Sequence, residues 1–115
     1  MKRITIVATL LMVMCLQIAA QTWEEVKVGT SIRKTLTYVP KNVEKSPALV
    51  ISLHGMNQDP EFQQKQTQWN ALADTEGFIV TYPLGNNRMW DTSGTGDVKF
   101  VEAIMKDMEL KHNVD

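Results

Sequence analysis

A chain of 115 residues has room for one domain, and its 12 basic and 13 acidic side chains create no field strong enough to seek nucleic acid or an anionic membrane. One cysteine, Cys15, cannot form a disulfide within the chain.

Lys2 and Arg3 precede an apolar run over residues 4–16, and small Ala19 and Ala20 follow it, which is the layout of a secretory signal peptide with cleavage after Ala20. The run is short for a membrane span, and polar Gln17 and Gln21 flank it. Cys15 would leave with this segment; a lipid anchor on Cys15 is the sharper alternative, and bulky Met14 in front of it argues against that. The expected division is therefore a signal peptide, 1–20, and one domain portion, 21–115. Removing Lys2 and Arg3 leaves 10 basic against 13 acidic side chains, a net of −3. The expectation is a secreted chain, extracellular or periplasmic, with no nucleic-acid partner and no stable membrane association after cleavage.

Loose alternation over residues 23–28, a turn at Gly29-Thr30 and further alternation over 32–39 predict a β-hairpin at a sheet edge, stopped by Pro40. Residues 48–53, Ala-Leu-Val-Ile-Ser-Leu, are almost all apolar and predict a central strand buried on both faces. That strand ends at His54-Gly55, where glycine permits a sharp turn at the end of the sheet that usually holds ligands.

Asp59 is a capping residue and Pro60 a favoured first helical residue, while Phe62, Trp69, Leu72 and Ala73 share a helical face and Gly77 closes the run, so one helix is expected over 60–76. Residues 78–82 predict a second apolar strand, stopped by Pro83. Residues 84–96 form a loop rich in Gly, Asn, Ser and Thr, of a length that tends to be functional. Asp97 is expected to cap a last helix with Phe100, Val101, Ile104, Met105 and Met108 as its buried stripe. The order β, β, β, α, β, α implies an α/β fold with a mostly parallel sheet, and the third and fourth strands make one βαβ unit. No strand follows the last helix, so an apolar sheet edge stays open.

In sequence order, Leu53-His54-Gly55-Met56, Leu72-Ala73-Asp74, Glu76-Gly77-Phe78, Tyr82-Pro83, Trp90, Asp97-Val98 and Phe100 resemble secreted α/β-hydrolase esterases of the polyhydroxybutyrate depolymerase, feruloyl esterase and acetylxylan esterase type. The resemblance spans residues 32–115. It implies the amino-terminal part of an α/β-hydrolase, with the β-hairpin followed by a parallel β-α-β-α series that ends before the nucleophile elbow.

It also implies a serine ester hydrolase working through an acyl-enzyme, without cofactor or metal, on an ester-bearing polysaccharide, a small ester or a polyester. One oxyanion-hole N–H in this fold comes from the loop after the third strand, which the resemblance places at the backbone of Met56, shaped by His54 and Gly55. The plain alternative is a tight turn with His54 bonded to nearby backbone. Asn57, Gln58, Trp90 and Asp91 are candidate substrate-lining residues, although Trp90 and Asp91 equally suit anchoring and capping roles. No Gly-x-Ser-x-Gly occurs, so serine, acid and histidine are expected beyond Asp115 and the chain alone should be inactive. His112, near a helix end, suits the dipole better than catalysis. A prolyl-oligopeptidase-type peptidase portion and a non-catalytic secreted binding domain remain open.

Overall fold

The computed structural model describes residues 18–115; the signal segment, Cys15 included, lies outside the described residues up to Gln17. Strand β1 (Ala20–Val28) turns through Gly29-Thr30 into β2 (Ser31–Val39), the two pairing antiparallel in full register from Ala20↔Val39 to Val28↔Ser31. Gly29 takes the positive φ of +60° that this two-residue turn requires. The predicted hairpin therefore forms, and its first strand begins at Ala20, the residue expected to precede signal cleavage.

Strand β3 (Leu49–Ile51), helices α1 (Pro60–Thr67) and α2 (Trp69–Glu76), and strand β4 (Ile79–Pro83) make the βαβ unit, with β3 and β4 parallel. The sheet order is β1-β2-β4-β3, and β2 pairs antiparallel with β4. This corrects two expectations. The central, fully buried strand is β4; β3 is short, half-buried and outermost, because the crossover inserts β4 between it and the hairpin. The described sheet is also mixed, with one parallel ladder.

The single helix expected over 60–76 is two. Asp59 caps α1 by accepting from Phe62 N–H at 2.8 Å, and Pro60 opens it as expected. Gln68 then enters the left-handed region at φ 58°, breaking the helix; Phe62 and Leu72 are exposed, whereas Ala73 is buried. Gly77 closes α2 at φ 77°, donating its N–H to Ala73 C=O at 2.8 Å.

Helix α3 (Gly96–His112) starts two residues earlier than expected, and Thr95 rather than Asp97 stands at its cap. Asp97 instead turns its carboxylate to Arg33. Of the expected stripe, Phe100, Ile104 and Met108 are fully buried, Val101 is half-buried and Met105 is exposed.

Strand alternation separates two cores. Val26 with Phe100, Ile104 and Met108, backed by Leu49 and Ile51, lies under α3. Leu36, Ala73, Val80 and Tyr82, backed by Val50, Trp69 and Phe78, lies under α2. Successive residues of β3 and β4 thus face opposite layers, which makes a three-layer α/β arrangement from a period of two.

Candidate active-site turn

Beyond the carboxyl end of β3, after Ser52 and Leu53, comes the turn His54-Gly55-Met56-Asn57-Gln58. Gln58 N–H donates to Gly55 C=O at 3.1 Å, and Asn57 sits at φ 62°, the left-handed third position that asparagine tolerates. Gln58 Oε1 accepts from Gly55 N–H at 3.0 Å, which closes the turn from its side-chain side as well. Among the described residues, Met56 N–H donates to no protein acceptor.

His54 is buried, with 2% of its surface exposed, and its partners fix its tautomer. Gly85 N–H donates to Nε2 at 3.0 Å, so Nε2 carries the lone pair. Nδ1 therefore carries the proton and donates to Gly55 C=O at 2.7 Å. With both ring nitrogens engaged, His54 is a structural wedge for the turn rather than a free base. The plain reading of His54 as bonded to nearby backbone holds for Nδ1, and the bond to Gly85 extends it across the site.

Trp90 donates Nε1–H to His54 C=O at 2.8 Å, and the two rings lie 4.9 Å apart at a 36° tilt. Asn57 N–H donates to Arg88 C=O at 2.9 Å. The loop after β4 is therefore ordered. Asn87 and Arg88 both take positive φ, 51° and 59°, closing a tight turn in which Met89 N–H donates to Asn86 C=O at 3.0 Å. The far end of the loop is held by Asp97, which accepts from Asp91 N–H and pairs with Arg33 Nη1 at 2.7 Å. Arg33 also donates to Leu84 C=O at 3.2 Å and lies 3.9 Å over the Phe100 ring. Burial pushes the Asp97 carboxyl upward, but the Asp91 N–H and the Arg33 bond and charge outweigh it and hold the carboxyl below its ordinary value.

Beside the turn opens a cavity of about 370 Å³, lined by Leu53, Trp90, Asp91, Asp97, Val98, Val101 and Glu102. Trp90 and Asp91, both singled out from the sequence, line it. Asn57 and Gln58 are not among its lining residues; Asn57 is tied by its backbone N–H to Arg88 C=O and Gln58 by its side-chain Oε1 to Gly55 N–H. Leu53, Val98 and Val101 were not anticipated as pocket residues. Neither were Gly85 and Arg88, although the Gly85-Asn86-Asn87 run carried a turn signal. His112 lies at the other end of α3 against Glu24 Oε1, 3.3 Å away, and takes no part in the site. Among the described residues no three His, Cys, Asp or Glu side chains gather to hold a metal, and no helix is long and apolar enough to cross a membrane.

No family model matches the chain. It is 46% identical over 80 residues to a bifunctional acetylxylan esterase/xylanase of Neocallimastix patriciarum, a match covering 68% of this chain and 12% of that protein. Acetylxylan esterase A of Emericella nidulans is 33% identical over 58 residues, covering 49% of this chain and 19% of its own length. Among solved structures, an acetyl xylan esterase from Aspergillus awamori superposes at a TM-score of 0.71 with 20% identity, over 82% of this chain and 39% of that one. The poly(3-hydroxybutyrate) depolymerase LpqC from Bordetella parapertussis superposes at 0.65 with 13% identity, over 84% and 40%. The chain thus spans less than half of each of these proteins.

Proposed function

From a chain that is related in sequence to acetylxylan esterases and built as part of an α/β-hydrolase fold, we propose that the whole protein is a secreted serine ester hydrolase and that residues 54–58 supply half of its oxyanion hole. The observation that carries this is the turn after β3, in which Gly55, Asn57 and Gln58 N–H all have acceptors while Met56 N–H, between them, has none among the described residues. A donor fixed in place before the reaction needs no reorganisation when negative charge develops, which is how such sites lower a barrier.

In the proposed reaction a serine Oγ, its proton taken by a histidine, attacks the ester carbonyl. The tetrahedral oxyanion is held by Met56 N–H and by the N–H of the residue after the serine. Collapse expels the alcohol, which takes the proton from the histidine, and water then hydrolyses the acyl-enzyme by the same steps. The acetyl ester of a xylan is the first substrate class to test, because the sequence relatives are acetylxylan esterases; a polyester is the second. Trp90 and Asp91 in the 370 Å³ cavity would meet part of that substrate.

The test is to express the polypeptide that the reading frame encodes through and beyond the Asp115 codon and assay it on acetylated xylan and on p-nitrophenyl acetate. A further strand, a Gly-x-Ser-x-Gly elbow, a later acid and histidine, and deacetylation would support the reading. A frame that closes directly after Asp115, with no ester turnover, would overturn the enzymatic reading for this polypeptide.

A further inference from the structure

We propose that Trp90 is a positioning residue for the oxyanion turn, acting through His54 rather than touching substrate at the reacting carbonyl; this rests on the reading of Met56 N–H as the oxyanion donor. Three hydrogen bonds run from the loop after β4 onto residues 54–57: Gly85 N–H to the His54 ring, Trp90 Nε1–H to His54 C=O, and Asn57 N–H to Arg88 C=O. They engage the residues on both sides of Met56 and leave its N–H unpaired.

Trp90 joins two anchors. On one side the tight turn at 86–89 presents Arg88 C=O to Asn57. On the other, Asp97 takes Asp91 N–H while held by Arg33. A tryptophan suits this place for two physical reasons. Its ring packs at a tilt against the imidazole whose Nε2 meets Gly85, and its N–H satisfies the His54 carbonyl two residues past the last β3 ladder bond, at Ser52. Phenylalanine would supply the first and not the second.

The experiment uses the full 115-residue chain labelled with ¹⁵N. An N–H···N hydrogen bond transmits a scalar coupling, so the wild type should show one between the Gly85 amide nitrogen and His54 Nε2, with the imidazole proton on Nδ1. In Trp90→Phe the Met56 amide resonance should move and Asn57 amide exchange should rise roughly ten-fold, the scale of one lost hydrogen bond. The β1–β2 hairpin amides should keep their protection. Unchanged Met56 and Asn57 amides in a folded Trp90→Phe chain would overturn the proposal, since a merely packed ring would be replaced without effect there. If that variant does not fold, the wild-type spectrum decides: absence of the Gly85–His54 coupling overturns the proposal. Failure of the oxyanion reading would appear separately, as ester turnover in the whole enzyme that survives removal of Met56 N–H.

Discussion

The backbone N–H of Gly85 points at Nε2 of His54 from 3.0 Å, joining the end of β4 to the end of β3 through one buried imidazole. A buried donor that loses its acceptor keeps its desolvation cost. His54→Ala should therefore destabilise the chain by roughly 1–3 kcal/mol from the orphaned Gly85 N–H, before any cavity term. Urea unfolding of the two forms measures it, and a change under half a kcal/mol would mean that the Gly85 bond contributes nothing.

Gly85 itself admits no side chain. A Cβ built there would stand 2.4 Å from Met89 C=O, a backbone atom that cannot swing away. Gly85→Ala is expected to open the 86–89 turn and with it the Asn57–Arg88 bond. Gly29→Ala meets no atom within 4 Å, and its cost should be limited to its positive φ. Comparing the two by denaturation and by the Asn57 amide shift separates steric from conformational effects.

How much of this was legible beforehand divides by range. The hairpin, the Asp59 cap and the Gly77 stop are local chemistry, and residues within four positions settled them. The break at Gln68 was not legible, because glutamine has no preference for the left-handed region; the break is accompanied by a Gln68 Nε2–H bond to Lys65 C=O and by packing of Trp69 and Ala73 in the core under α2. Likewise the apolar 48–53 run reads as a central strand, while its outer place depends on where the crossover returns. In the candidate site, His54, Gly55 and Met56 were named from the resemblance, and Trp90 and Asp91 from their place in the loop over 84–96. The Arg33–Asp97 pair, 64 residues apart in sequence, was not, since no local pattern ties a strand arginine to the first turn of α3.

Met56 occupies the second position of the Gly55–Gln58 turn, where proline is favoured. Met56→Pro therefore deletes the unpaired Met56 N–H at a position of the turn that suits proline. In the polypeptide that also carries the nucleophile, kcat on an acetyl ester should fall about 10²–10³-fold, with KM little changed. Met56→Ala, which keeps the N–H, should retain most activity. Equal activity of the proline and alanine forms would remove Met56 from the oxyanion hole.

The Arg33–Asp97 pair makes stability depend on acid. Asp97 is held below the ordinary carboxyl value of 3.8 when folded, so its contribution is complete above that value. It is lost as pH falls through the lower folded value, because there the unfolded chain binds the proton first. Asp97→Asn should flatten this acid limb of a stability-against-pH curve. Arg33→Met should cost roughly 1–3 kcal/mol near neutrality, since it removes the cation from a partly buried carboxylate that keeps only the Asp91 N–H. A curve of Asp97→Asn parallel to wild type below pH 5 would show that the pair does not carry the acid sensitivity.

The outer edge of β3 has no strand beside it in the described sheet, and apolar side chains flank it: half-buried Leu49 and Ile51, then Leu53, Val98 and Met105, which are 45%, 57% and 48% exposed. At the start of this edge Asp115 N–H already donates to Pro47 C=O at 2.9 Å, so the last residues of the chain lie alongside it. An open ladder next to exposed apolar surface favours association through that face. The 115-residue chain should therefore associate with rising concentration and bind an apolar dye. Val98→Thr with Met105→Lys should reduce both, with a stability change within about 0.5 kcal/mol, because neither side chain is buried. Sedimentation velocity at several concentrations gives the answer: association undiminished in the double variant places the contact elsewhere, and the β1 edge of the hairpin, Ala20–Val28, becomes the surface to alter next.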